Sequence, residues 1–145
     1  MRRVWKRAAI GAGLAAMAAI TGACGDNTLN SIIASSTAPT ATVTETFTGS
    51  LGKNGAATFP FTATAAGQIT ATLTTVAPDN TVSLGLSLGT WNGNLCQTIL
   101  AKDSTQQGNA ITGSTTTGGA LCVRIYDAAG TLSGTFTFQI DVIHP

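Results

Sequence analysis

Cys24, Cys96 and Cys122 are the three thiols of this chain, and His144 is its one histidine. They are not spaced for catalysis. No Cys-x-x-Cys pair or Cys/His cluster is present, so structural zinc has no ligand set. His144 stands beside Pro145 at the C-terminal end of the sequence. It is expected to be an exposed tail residue, poorly placed to act as a base. No H-E-x-x-H pattern occurs, and no glycine pattern follows a strand and opens a helix to hold a phosphate. Glycoside chemistry would need two of the scattered carboxylates to converge, and their spacing gives no sign of it. No catalytic residue is assigned, and the expectation is a protein that is not an enzyme and has no cofactor.

Two surface features remain. Trp91 opens the run Trp91-Asn92-Gly93-Asn94 at a strand end beside a turn. Trp91 with Asn92 and Asn94 could hold a sugar, the ring stacking and the amides bonding hydroxyls; the favoured reading is that Trp91 covers one open end of the core, its indole N–H bonded locally. Asp79-Asn80, Asp103 and Asp127 are turn acids. Converged, they would bind Ca²⁺ through oxygen; apart, they cap their own backbone, the ordinary role of such residues. The second reading is taken, with no metal assigned.

The charge distribution narrows the partners. Charged residues make up 9% of the chain, against about 25% in ordinary soluble domains. Arg2, Arg3, Lys6 and Arg7 fall within the first seven positions. Beyond them, Lys53, Lys102 and Arg124 face six acids, a balance of −3. Nothing resembles a basic footprint, so no nucleic-acid partner is expected. Threonine (26 residues) and glycine (17 residues) supply the polar surface that charge usually provides.

The N-terminus reads as an export signal. A basic stretch, Met1–Arg7, precedes the uncharged run Ala8–Ile20, and small residues Thr21-Gly22-Ala23 follow. That is the physical pattern of a secretory signal, residues 1–23, and the apolar run is shorter than the ~20 residues a membrane span needs. Ile20-Thr21-Gly22-Ala23-Cys24 resembles the lipobox of bacterial lipoproteins. The resemblance implies cleavage before Cys24 and lipidation of its thiol, with Thr21 standing where that family prefers Leu; simple secretion is the alternative. Lipidation of Cys24 would leave Cys96 and Cys122 as an even pair. In an oxidising compartment these are expected to form a disulfide rather than remain two buried thiols.

Residues 24–42, rich in Ser, Thr, Ala and Asn, read as the lipidated N-terminus and a flexible tether. From residue 43 to 145 the pattern has a period of two. Ile69, Ala71 and Leu73 alternate with threonines, Leu84, Leu86 and Leu88 with Ser and Gly, and Phe136, Phe138 and Ile140 with polar residues. Such alternation marks strands with one buried face. Strands are predicted at 44–50, 56–63, 67–76, 82–89, 95–101, 109–114, 119–127 and 134–143. Lys53-Asn54-Gly55 and Asn92-Gly93-Asn94 are placed as hairpin turns. The fold class is all-β: a two-sheet antiparallel sandwich, jelly-roll-like, of about eight strands. The predicted core is Phe47, Phe59, Phe61, Ile69, Leu73, Leu84, Leu86, Leu121, Val123, Ile125, Phe136, Phe138 and Ile140.

Three of these segments, Ala66–Leu73, Leu121–Asp127 and Thr135–Ile140, resemble strands of the bacterial pre-peptidase C-terminal domains, in matching order. The resemblance implies a jelly-roll-like accessory module. It departs at Val82–Leu88, where Ser83-Leu84 and Gly85-Leu86 stand in place of that family's Asp-Leu. The reading is therefore a non-catalytic binding or adhesion module, monomeric and lipid-anchored in the bacterial cell envelope, periplasmic or on the outer surface, or otherwise secreted. Its partners are the membrane, through the lipid, and a polysaccharide or envelope protein. A structural or accessory envelope protein is the alternative.

Overall fold

The computed structural model describes residues 40–145; the expected signal, Cys24 and the tether up to residue 39 lie outside this range. Eight strands follow one another: β1 (Val43–Leu51), β2 (Ala56–Ala63), β3 (Gly67–Ala77), β4 (Leu84–Trp91), β5 (Cys96–Thr105), β6 (Ala110–Thr115), β7 (Gly119–Tyr126) and β8 (Phe136–His144). No helix occurs among the described residues. Each predicted strand is present. The largest extension is β5, which runs on through Lys102–Thr105.

The strands form two antiparallel sheets of four, ordered β1-β8-β3-β6 and β2-β7-β4-β5. The pairs β1–β8, β2–β7, β3–β6 and β4–β5 nest inside one another along the chain. A long antiparallel ribbon rolled over on itself gives this order, which is a jelly roll. Only β4–β5 is a local hairpin, and Gly93 (φ 100°) sits in its turn. Asn54 (φ 57°) also takes the left-handed conformation, but it turns a corner from one sheet to the other. The hairpin expected around Lys53-Asn54-Gly55 is therefore corrected to an inter-sheet corner.

Alternation sets the core. Leu84, Leu86 and Leu88 of β4 meet Leu73, Ile140 and Val142 of the opposite sheet in one buried cluster with Val123 and Ile125. Phe47, Phe59 and Leu121 are half-buried at its margin. On one side of the sandwich, Phe47 of β1 stacks on Phe59 of β2 at 5.1 Å, and Phe59 meets Phe138 edge-on at 6.0 Å. These rings close the gap between the sheets there. Pro60, which has no N–H for the ladder, is tolerated because β2 is an edge strand.

His144 departs from expectation. It is no exposed tail: it ends β8 with 3% of its surface exposed, its ring 5.0 Å from that of Phe61. Nε2 lies 3.0 Å from Glu45 Oε1, and Nδ1 lies 3.2 Å from the Pro145 carbonyl oxygen. The reason is parity. Phe136, Phe138, Ile140, Val142 and His144 share one face of β8, and that face is inward.

Asp127, also buried, ties the far end together. Its carboxylate accepts hydrogen bonds from the amides of Asn54 (3.1 Å), Leu132 (3.3 Å) and Thr131 (3.3 Å). Burial pulls its pKa upward, but the amides of Asn54, Leu132, Thr131 and Gly130 outweigh that and hold it below the ordinary carboxylate value. A lowered folded-state pKa contributes stability above the unfolded value of about 3.9 and loses it as pH falls through the folded value. Stability is thus expected to fall more steeply with acid in the wild type than in Asp127→Asn. Urea titrations at a series of pH values below about 5 check this, and parallel curves would contradict it.

Candidate functional site

The β4–β5 hairpin positions the predicted site residues. Trp91 ends β4, opposite Cys96, and is half-buried. Parity with Ser87 and Gly89 puts it on the outer face of its sheet, opposite to Leu84, Leu86 and Leu88. It is not part of the core cluster, so the expectation that it covers an open end of the core does not hold. Asn92 and Asn94 are exposed. The Asn92 side-chain oxygen accepts from the amides of Leu95 (2.8 Å) and Asn94 (3.0 Å), so it builds the turn. Leu95, which sequence reasoning overlooked, stands 68% exposed beside them.

Two bridges pass from β7 to β5 across the outer face of β4. The first is the disulfide Cys96–Cys122, with Cα atoms 5.8 Å apart. Strands two places apart in a flat sheet would be roughly 9–10 Å apart. The start of β5 therefore leaves the sheet plane and crosses above Gly89, where an added Cβ would fall 2.1 Å from the Gln97 carbonyl oxygen. A β5 bulge between the Leu88–Leu100 and Gly89–Thr98 pairs permits the crossing. The second bridge is Tyr126, whose ring covers Gly85 and whose hydroxyl donates to Asp103. Burial, then the Asp103 carboxylate, push the phenol above its usual pKa and keep it a donor. The Arg124 guanidinium lies 5.2 Å from the ring centre. Small residues on β4 make room for both bridges.

Two spacings familiar from hydrolases also occur. Gly85-Leu86-Ser87-Leu88-Gly89 matches G-x-S-x-G, which serves catalysis when a sharp strand-to-helix turn lifts the serine into the open. Here all five residues are extended in β4, and Ser87 is 1% exposed with no hydrogen-bond partner for Oγ. Its neighbours in register are Arg124 and Ala101, and both nitrogens of His144 are engaged elsewhere. Ser50-Leu51-Gly52-Lys53 matches S-x-x-K, but Ser50 lies on strand β1 and Lys53 beyond its end in the corner.

The acids expected in turns stay apart in their contacts, and Asp103 is corrected to a residue of strand β5, which extends past the predicted end. Asp79 accepts from the Thr81 hydroxyl (2.7 Å) and amide (2.9 Å), and those bonds lower its pKa. Asp103 takes Tyr126, and Asp127 takes the corner amides. Among the described residues, no group of three or more His, Cys, Asp or Glu could hold a metal ion.

On the side opposite the stacked phenylalanines the sandwich stays open. A cleft of about 110 Å³ enters between β5 and β6, reaching Phe61, Ile69, Leu88 and Leu121 past Leu100. Gly113 leaves the space: a Cβ there would lie 2.8 Å from Leu100 Cδ1. Periodicity could not reveal this cleft, because it arises from which strands become the two facing edges.

No protein-family model matches the chain, and no curated protein is significantly similar to it.

Proposed function

We propose that this chain is a non-catalytic lipoprotein of the bacterial cell envelope whose sandwich binds an envelope component through the end that carries Trp91. The observation that carries the reading is Trp91 itself, a large ring held on the outer face beside an exposed turn and not packed in the core. Export is supported by the signal pattern at residues 1–23 and by a disulfide, a bond that persists in oxidising compartments. The segments that resemble pre-peptidase C-terminal strands fall on β3, β7 and β8, which supports an accessory role over a catalytic one.

Two experiments test the reading. Growing cells given a clickable fatty acid are expected to label the protein at Cys24, and Cys24→Ser is expected to abolish the label; persistent labelling of the variant defeats the anchor. In a Cys24→Ser background, which has no acyl anchor, Trp91→Ala is expected to change stability by no more than about 1 kcal/mol, as surface substitutions do, while retention on isolated envelopes is lost. A loss of roughly 3–5 kcal/mol, the cost of emptying a buried aromatic site, would assign Trp91 to packing instead.

A further inference from the structure

The sandwich is polarised along its strands. One end carries the β4–β5 turn, and register places Val43, His144 and the β2–β3 and β6–β7 loops there too. The Thr64 amide to Pro145 carbonyl bond of 2.9 Å joins the two sheets at this end. The loops 64–66, 92–95 and 116–118 contain no charged residue. Glu45, near this end, is engaged by His144. Lys53, Asp79 and Asp127 all lie in loops at the opposite end.

The exposed large hydrophobic residues follow the same division. They are Val43 (52%), Ile143 (42%), Leu95 (68%), Ile99 (68%) and Leu100 (40%). The first three stand at the uncharged end. Ile99 and Leu100 follow on β5, within three ladder positions of Trp91, or roughly 10 Å. From Asn80 to Ala101 no residue is charged, and Lys102 comes next.

We propose that this end of the sandwich seats on the surface of a lipid bilayer, with Leu95 and Ile99 immersed and Trp91 at the water boundary. The inference rests on the envelope-lipoprotein reading and gives the Trp91 end its ligand class. Three observations select a bilayer. The chain enters the domain at Val43, so a lipid on Cys24 would lead into this end. The apolar side chains belong to both sheets and ring the end; they do not form one flat patch. The two bulges in β5 leave it a poor template for a strand from a partner protein. A Trp ring with neighbouring aliphatic groups is the composition that prefers the membrane–water interface, where helices sink about 5–10 Å. The described residues carry a net charge of −2 apart from His144, so the attraction does not depend on anionic lipid.

The test uses the exported form, residues 24–145 with Cys24→Ser, which lacks the apolar run Ala8–Ile20 and Trp5, leaves Trp91 as the sole indole and removes the acylation site. Zwitterionic phosphatidylcholine vesicles, brominated near the headgroup, are expected to blue-shift and quench Trp91 emission, equally at low and high salt. Adding Leu95→Asp with Ile99→Asp is expected to reduce that partitioning at least about tenfold, given what two buried aliphatic side chains contribute. Asn80→Asp with Thr137→Asp at the far end is expected to leave it unchanged. Leu95→Ser with Ile99→Ser provides the same comparison if the charged pair disturbs folding. Unchanged emission with vesicles, or quenching that survives both tip pairs, overturns the proposal. So does a blue shift that appears with protein concentration and without lipid, which would assign the end to a second copy. Because the tested chain lacks Cys24, failure of the fatty-acid labelling leaves this result standing, and the reverse holds as well.

Discussion

Replacing Cys96 and Cys122 together by serine is expected to lower stability by about 3.5 kcal/mol, the chain-entropy value for closing a loop of this size. The loop spans 26 positions. For a domain of roughly 100 residues, that is a fall in Tm of about 15–25 °C. The bond joins β5 and β7, which share no ladder, so it is a tie that the β4–β5 pairs Trp91–Cys96, Thr90–Gln97 and Gly89–Thr98 do not duplicate once it is cut. Thermal and urea denaturation of the oxidised wild type, the reduced wild type and the serine pair measure the effect. A loss below about 1 kcal/mol would mean that the start of β5 keeps its place without the bond.

Gly89→Ala is expected to be the next most damaging change. The added methyl would meet the Gln97 carbonyl oxygen at 2.1 Å, its carbon at 2.7 Å and Thr98 Cα at 3.0 Å. All three are backbone atoms of the strand that the disulfide pulls across, so relief requires that strand to lift. Over-packing of this kind costs about 1–3 kcal/mol. The cost is expected to couple to the bond. With both cysteines replaced, the start of β5 can withdraw, and the alanine should then be nearly harmless. A double-mutant cycle reads the coupling, which for touching groups runs to about 0.5–3 kcal/mol. Equal costs in the two backgrounds would show that the close approach of β5 over Gly89 does not depend on the bond.

Much of the architecture was legible as alternation, because a strand with one dry face must repeat every second residue. Ile69-Thr70-Ala71-Thr72-Leu73 and Phe136-Thr137-Phe138-Gln139-Ile140 give β3 and β8 at once. Alternation does not say which sheet a strand joins, so the Asn54 corner looked like the Gly93 hairpin. It also fails along an edge, where neither face is fully dry: β5 is exposed from Gln97 to Ser104, and its last four residues read as loop. For the site, parity also fixes the two side chains that matter most. Continued past Val142, it turns His144 inward. Continued past Gly89, it sets Trp91 outside the core. What no pattern in the chain could supply is the cleft beside Gly113, since β5 and β6 become facing edges only after both sheets have formed.

The nesting of strand pairs bears on how the chain reaches its fold. β4 and β5 adjoin in sequence and can pair as soon as both exist. β3 must then find β6, β2 must find β7, and β1 finds only β8. Each step closes a longer circuit than the one before, which places the domain among topologies of high contact order, whose folding takes milliseconds to seconds. A chain delivered N-terminus first, from a ribosome or through a translocation pore, presents β1 earliest and its sole ladder partner last. The edge strand β1 therefore stays without its ladder until β8 has emerged, and its open backbone must be kept from pairing with other chains over that interval.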